Sequence, residues 1–359
     1  MKILVLCEQY SSEGDVYRMA WAHTRNREYL KRGCTVDVLN FNAKSDYSYQ
    51  GINVYTKSSA GYNLLQYDLV ISHAPNIKNH YFYILKAKFK KIVFFFHGHE
   101  VLYTEKDYPK PYYYRSASWL RRLSKTIYDW TKIKLVKRLI HKVIGDKSHL
   151  IFVSEWMKDQ YEKNIGVKLL PSKYNCIPNP VWHDFVDNRH RPPVFGNKIK
   201  VVTLRKLDES KYAVDLVVRI AEQNPNVEFH IFGKGQFFKH FDKPDNVIHT
   251  PQLVEQHKLA DFFNNYHLAL LPTRYDAQGV LACEAATYNM PLISSDISVV
   301  KEMLARFPHV YLMNNDRPED INIKSIYDKL KNNVMSGFYF APENTVSREL
   351  EVFERFTHE

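Results

Sequence analysis

Short apolar runs alternate with stretches of helical periodicity along most of the chain. In the first half, runs such as Ile3–Leu6, Leu69–Ser72 and Ile92–Phe96 predict buried strands separated by helices. The pattern begins again at Lys200–Leu204 and continues to about residue 304. Strands that alternate with helices favour parallel, doubly wound sheets, in which ligand sites lie at the carboxyl ends of the strands. The pattern therefore predicts an α/β protein with two such domains.

The most informative segment is Leu271–Asp296, which reads LPTRYDAQGVLACEAATYNMPLISSD. A strand ends near Pro272, a polar turn contains Asp276 and Gly279, and the helix that follows carries Glu284. The free N–H groups of a helix N-terminus suit a phosphate, and carboxylates accept hydrogen bonds from sugar and ribose hydroxyls. The segment predicts a nucleotide-sugar site, with an ordinary strand-to-helix turn as the alternative.

This segment resembles the signature of retaining glycosyltransferases of the GT-B fold, and of glycosyltransferase family 4 in particular. The family pattern, roughly P-S-x-x-E-G-F-G-x-x-x-x-E-A-x-A-x-G-x-P-V-I, is matched at Pro272, Gly279, Glu284, Ala285, Ala286, Pro291 and Ile293. Asp276 stands where the family usually has its first Glu, and Asn289 stands where it usually has Gly. After Gly, Asn is the residue that best tolerates a positive φ, so the second change is mild.

The resemblance implies a GT-B fold with two Rossmann-like domains that face each other across a cleft. Residues 1–183 would form the N-terminal acceptor domain and residues 198–335 the donor domain. Residues 336–359 would form a C-terminal helix that packs back on the first domain.

The resemblance also assigns roles on the donor side. Glu284 would bind the nucleotide ribose hydroxyls, and Asp276 would meet hydroxyls of the donor sugar. The backbone of Gln278, Gly279 and Val280 would approach the sugar or the phosphates, and Gly279 allows that approach because it has no Cβ.

A second element, VTLRKLDESK at residues 202–211, resembles the family's G-R-L-x-x-x-K-G. Counting back five residues from Lys211 puts Lys206 at the family's Arg position, and a slip of one residue makes Arg205 the match. Two cations there would neutralise a diphosphate and stabilise it as it leaves; a pair of surface cations is the alternative. Gly233 and Gly235 match the family's V-G-x-G and shape the adjoining loop, although a plain turn explains them equally well.

In the first domain, His97 resembles the family's strand-end His, which contacts the donor sugar, and His99 is the competing choice. A metal site built from His97, His99 and Glu100 lacks a further ligand set, and family 4 enzymes need no metal. The prediction is therefore a metal-independent enzyme without a cofactor, whose donor substrate is a UDP- or GDP-linked sugar.

Charge is unevenly placed along this chain of net charge +11. Residues 101–150 hold twelve Lys or Arg against four acidic residues, with Tyr and Trp between them. Such a mixture suits an anionic membrane surface, and a solvated basic helix face explains it equally well. No nucleic-acid-binding motif accompanies it. Four scattered cysteines and the lack of a membrane-length apolar run predict a cytoplasmic protein, peripheral on the inner face of the membrane if the first explanation holds.

These features together predict a retaining glycosyltransferase. It would move a hexose-type sugar from a nucleotide diphosphate sugar to a glycan or lipid-linked acceptor in cell-surface polysaccharide assembly. Two alternatives remain: a GT-B sugar-nucleotide epimerase, and a non-catalytic GT-B partner subunit, which only the departures at Asp276 and Asn289 support.

Overall fold

The computed structural model describes residues 1–15, 18–194, 196 and 198–358. Within these residues the first sheet has eight strands in the order β3-β4-β2-β1-β5-β6-β7-β8, parallel except for the pair β3 and β4. Its strands are β1 (Lys2–Cys7), β2 (Thr35–Asn40), β3 (Tyr47–Tyr49), β4 (Ile52–Tyr55), β5 (Leu69–His73), β6 (Ile92–Phe96), β7 (Ser148–Phe152) and β8 (Tyr174–Cys176).

A second sheet in the described chain has six strands, all parallel, in the order β11-β10-β9-β12-β13-β14. They are β9 (Lys200–Leu204), β10 (Glu228–Phe232), β11 (Val247–Thr250), β12 (Leu268–Leu271), β13 (Leu292–Ser295) and β14 (Val310–Met313). The chain runs from β9 outward to β11 and then returns to place β12 on the other side of β9. The carboxyl ends of β9 and β12 therefore form a topological switch point, the usual ligand site of such a sheet.

Helices connect the strands in both halves of the chain. They are α1 (Ala20–Lys31), α2 (Lys57–Ala60), α3 (Phe82–Lys86), α4 (Thr104–Asp107), α5 (Trp119–Arg138), α6 (Glu155–Ile165), α7 (His183–Asp187), α8 (Val214–Gln223), α9 (Leu259–Phe263), α10 (Val280–Thr287), α11 (Ser298–Leu304), α12 (Ile323–Leu330) and α13 (Pro342–His358). None of the helices in the described part of the chain combines the length and the apolar character that crossing a membrane requires.

The chain divides into two compact units. The first comprises Met1–Thr104, Leu123–Pro180 and Pro342–Glu359, and the second comprises Glu105–Arg122 and Val181–Ala341. The second unit thus includes residues 105–122, which the sequence prediction assigned to the N-terminal domain.

The C-terminal helix α13 belongs to the first unit, where it packs against α1. A fully buried ion pair joins the two helices, with Arg25 Nε 2.8 Å from a carboxylate oxygen of Glu349. The hydroxyl of Tyr29 donates to the other oxygen of that carboxylate. Buried charges are tolerated only when they are paired in this way.

Two local choices of residue explain how helices begin and end here. The Ser154 hydroxyl accepts the N–H of Met157 at 3.0 Å and so caps α6. Asn289 follows the end of α10 with a φ of 60°, the left-handed conformation for which the family uses Gly. Its side-chain oxygen accepts the Met335 N–H at 2.6 Å, so Asn adds a contact that Gly lacks.

Candidate functional site

Arg205 directly follows β9, and its side chain lies at the switch point of the second sheet. Its Nη2 donates to the carbonyl of Leu271, the last residue of β12, at 3.3 Å. Burial lowers the pKa of this guanidinium, while the nearby Asp276 carboxylate acts in the opposite direction. The buried Nε has no hydrogen-bond partner among the described residues. Arg205 is therefore a partly buried cation whose buried Nε donor an anionic ligand could satisfy.

Lys211 lies beside Arg205, at the other end of a turn formed by residues 205–211, here called the cationic turn. Both cations lie over the ring of Tyr212, with Arg205 Cζ at 5.2 Å and Lys211 Nζ at 4.7 Å from its centroid. Burial works against the charge of Lys211, but Tyr212 and Glu209 raise its pKa. Two cations packed against the same aromatic ring form a compact site of positive charge.

Lys206 lies outside this group. Its side chain is 67% exposed, and its nearest acidic partner is Glu209 at 3.7 Å. Of the two positions that the sequence left open, the structure places Arg205 at the sheet edge with Lys211.

The turn after β12 faces Arg205 with a carboxylate. Asp276 Oδ1 accepts the backbone N–H groups of Ala277 and Gln278 at 2.8 and 3.2 Å, which fixes the carboxylate at the mouth of α10. Gly279 then adopts a φ of 75° and starts the helix. The N–H groups of Gly279 and Val280 have no acceptor within α10, because the first turn of a helix lacks one. They remain suited to a phosphate or sugar oxygen, whereas the Gln278 N–H is engaged by Asp276.

Glu284 lies one turn into α10 and is buried. Burial raises its pKa to about 8, although hydrogen bonds from the Gln256 side chain and the Trp182 backbone oppose the shift. Gln256 Nε2 donates to Oε1 at 2.6 Å. The carboxyl group is thus oriented by two donors and can accept further hydrogen bonds once it is ionised.

Gly233 and Gly235 have a structural reason to be glycine. Their φ angles are 148° and 156°, and a Cβ on Gly233 would lie 1.6 Å from the carbonyl oxygen of Arg205. A Cβ on Gly235 would lie 2.8 Å from the Cβ of Leu207. The loop after β10 therefore packs its bare backbone against the cationic turn, which supports Arg205 from behind.

In the first unit, His97 follows β6 and is packed on several sides. Its ring lies 4.1 Å from that of Trp21, and its Nε2 is 3.2 Å from Nδ1 of His73. Burial holds its pKa well below the usual value, and Asn179 supplies a hydrogen bond. His97 is consequently an oriented, neutral imidazole at neutral pH.

The neighbouring His99 is exposed. The Glu100 carboxylate accepts the backbone N–H groups of His97 and Gly98 at 2.9 and 2.6 Å. The acid stabilises the turn after β6.

The sequence comparison finds a known family that part of the chain resembles. Residues 185–332, less than half of the chain, match the family model described as "Glycosyl transferases group 1". The matched residues lie within the second unit and contain Arg205, Lys211, Asp276 and Glu284. A search of curated protein sequences finds no match.

Solved structures share the fold of the whole chain, not only of residues 185–332. Sucrose-phosphate synthase from Thermosynechococcus elongatus aligns with a TM-score of 0.71 and 11% identity over 99% of this chain and 98% of that one. Anabaena HepE, solved in complex with UDP and glucose, aligns with a TM-score of 0.66 and 12% identity over 99% of this chain and 100% of that one. WaaG, a glycosyltransferase involved in lipopolysaccharide biosynthesis, aligns with a TM-score of 0.58 and 11% identity over 99% of this chain and 94% of that one. The predicted GT-B fold class is confirmed.

Sequence reasoning missed three residues around the candidate site of the second unit. The side chains of Arg205 and Lys211 pack against the Tyr212 ring. Trp182 and Gln256 donate hydrogen bonds that orient Glu284. Tyr212 could have been suspected, because an aromatic residue directly follows Lys211. Trp182 and Gln256 lie far from Glu284 along the chain, and no motif marks them.

Proposed function

We propose that this protein is a retaining, metal-independent glycosyltransferase that transfers a hexose-type sugar from a UDP- or GDP-linked donor. The observation that carries the proposal is that Arg205 and Lys211 both pack against the Tyr212 ring at the switch point of the second sheet, with the Asp276 carboxylate near Arg205. Anabaena HepE, which has the same fold, was solved with UDP and glucose, which supports a donor of this class.

Each part of the site has a chemical task in this proposal. The bond between the sugar C1 and the phosphate oxygen breaks, and its electrons leave with the nucleotide diphosphate. Arg205, Lys211 and the N-terminus of α10 stabilise that charge. Glu284 accepts the ribose hydroxyls, and Asp276 accepts hydroxyls of the donor sugar.

The acceptor hydroxyl forms the new bond to C1 from the side on which the diphosphate leaves. Its proton passes to the departing phosphate oxygen, so no protein nucleophile is required. Retention follows from the family resemblance. The contact of His97 with the sugar is assigned by the family resemblance alone, and the depressed pKa of this residue keeps its ring neutral.

Transfer activity is tested with a panel of UDP- and GDP-linked sugars, by measuring nucleotide release with and without glycan or lipid-linked acceptors. We expect acceptor-dependent release with one donor. Asp276→Ala should lower turnover by about 10²-fold or more while nucleotide binding persists, because the lost contacts are to the sugar.

Other outcomes of this assay identify the alternatives. A sugar nucleotide that changes configuration without an acceptor would indicate an epimerase. A wild-type protein that turns over no donor would support a non-catalytic partner subunit.

We further propose that the acceptor is reached at an anionic membrane, through α5. Residues 115–128 are all exposed, and the stretch 119–128 contains Arg121, Arg122 and Lys125 but no acidic residue. Five large apolar side chains of this helix are at least half exposed: Trp119, Leu120, Leu123, Ile127 and Trp130. An exposed apolar stripe flanked by cations suits insertion into the headgroup region of anionic lipid.

The double variant Leu123→Ser/Ile127→Ser should bind vesicles of phosphatidylglycerol and phosphatidylcholine about tenfold more weakly than the wild type, because two apolar anchors are lost. Leu253→Ser, at a leucine that is 62% exposed, is the matched control. Vesicle flotation at low and high salt provides the measurement. If the wild type does not bind anionic vesicles at low salt, the proposal of membrane contact through α5 is wrong.

A further inference from the structure

A short segment rich in tyrosine packs on the cationic turn. Residues 108–114 read YPKPYYY and are here called the tyrosine strap. The strap belongs to the second unit, although the chain on either side of residues 105–122 builds the first. Its contacts reach the two turns that form the candidate donor site.

The strap holds the cationic turn at two points between its cations. The Tyr114 hydroxyl donates to Asp208 Oδ1 at 2.9 Å, and the same oxygen accepts the Gln236 N–H at 2.7 Å. The Ser210 hydroxyl donates to the carbonyl of Lys110 at 2.7 Å. The middle of the cationic turn is therefore fastened to the strap on one side and to the loop after β10 on the other.

Tyr112 connects the cationic turn with the turn after β12. Its hydroxyl donates to Asp215 Oδ1 at 2.7 Å, and the Arg274 guanidinium donates to both oxygens of that carboxylate. Arg274 also donates from Nη1 to the Ser210 carbonyl at 3.0 Å and from its backbone N–H to the Lys211 carbonyl at 2.7 Å. A continuous chain of hydrogen bonds thus runs from the strap to the backbone of Lys211.

We propose that the tyrosine strap positions the cationic turn on the diphosphate of the donor, with Tyr112 and Tyr114 as positioning residues. This inference rests on the proposed function. The strap makes no contact with the ligand in this proposal; its hydroxyls hold Asp208 and Asp215, which fix where Arg205 and Lys211 stand. Positions of charged groups within an ångström decide how well they stabilise a phosphate.

The aromatic rings of Tyr112 and Tyr114 pack against neighbouring rings, and a variant can keep this packing while it loses the hydroxyl. Tyr114 stacks on His240 at 4.0 Å between centroids, and Tyr112 contacts Phe237 edge-on at 5.2 Å. Replacing Tyr by Phe therefore removes only the hydroxyl. Tyr113→Phe is the matched control, because its hydroxyl donates to the His240 carbonyl at 3.1 Å and not to the cationic turn.

The experiment compares binding of a nucleoside diphosphate and of the matching monophosphate by calorimetry, with UDP and UMP or with GDP and GMP. The double variant Tyr112→Phe/Tyr114→Phe should bind the diphosphate about tenfold more weakly than the wild type, since hydrogen bonds to charged groups are lost. Monophosphate binding should change much less, because Glu284 and the ribose are untouched. Tyr113→Phe should behave as the wild type.

The ratio of the two affinities separates positioning from a general structural role. Equal losses for diphosphate and monophosphate, or no loss for the double variant, would overturn the inference about the strap. If the wild type itself binds neither nucleotide, the proposed function fails instead.

Discussion

Replacing Arg205 by alanine should lower kcat for sugar transfer by about 10²–10³-fold, the usual effect of removing one preorganised group that stabilises charge in a transition state. Arg205 has the strongest claim to that role, because its buried Nε lacks a partner among the described residues while its Nη groups are anchored to backbone carbonyls. Its geometry is fixed before the ligand arrives, so little reorganisation is needed.

Lys206→Ala is the matched control for this variant. The two residues are adjacent and carry the same charge, but the Lys206 side chain is mostly exposed. Single-turnover and steady-state rates should show the loss in Arg205→Ala and near-normal kcat in Lys206→Ala. The reverse result would move the family's Arg position to Lys206 and contradict the site described here.

Nucleotide binding should strengthen as the pH rises from about 6 to about 8, and Glu284→Gln should remove that dependence. Burial raises the pKa of Glu284 to about 8, so its carboxyl group holds a proton at lower pH. A protonated carboxyl cannot accept both ribose hydroxyls as well as a carboxylate can. Below its pKa, each unit of pH costs up to about tenfold in affinity, since the proton must first be released.

Calorimetric titrations of UDP or GDP across this pH range measure the effect, with Glu255→Gln as the control at an exposed neighbour of Gln256. An unchanged pH profile in Glu284→Gln would remove Glu284 from the ribose site. The free energy of unfolding depends on pH in the opposite direction from nucleotide binding. The folded state binds the proton more tightly than the unfolded state, so Glu284 makes the free energy of unfolding fall as the pH rises from about 4.5 to about 8.

Periodicity predicted the long elements well. The strand over Lys200–Leu204 has the predicted bounds, and α10 follows the turn with Asp276 as expected. Buried parallel strands are continuous apolar runs, so they stand out from the amphipathic helices around them. The short edge strands β3 and β8 were not predicted, because three residues without an apolar run give no periodic signal.

Features formed by residues close together in sequence could be predicted, and those formed by tertiary structure could not. The turn Asp276–Gly279 and the helical Glu284 could be read from one motif. The choice between Arg205 and Lys206 depended on which side chain faces inward at a strand end, which a shift of one residue reverses. The tyrosine strap is about 100 residues from the turn it holds, and its basic, aromatic composition had suggested a surface role instead.

The most direct test of the account is a thermal-shift panel of UDP, GDP, ADP and CMP on the wild-type protein. A ligand at about 100 times its dissociation constant adds roughly 2.7 kcal/mol to the free energy of unfolding, enough for a clear rise in melting temperature. The account predicts such a rise with UDP or GDP, and its loss in Glu284→Ala. No rise with any nucleotide would contradict a donor site built on Arg205, Lys211 and Glu284.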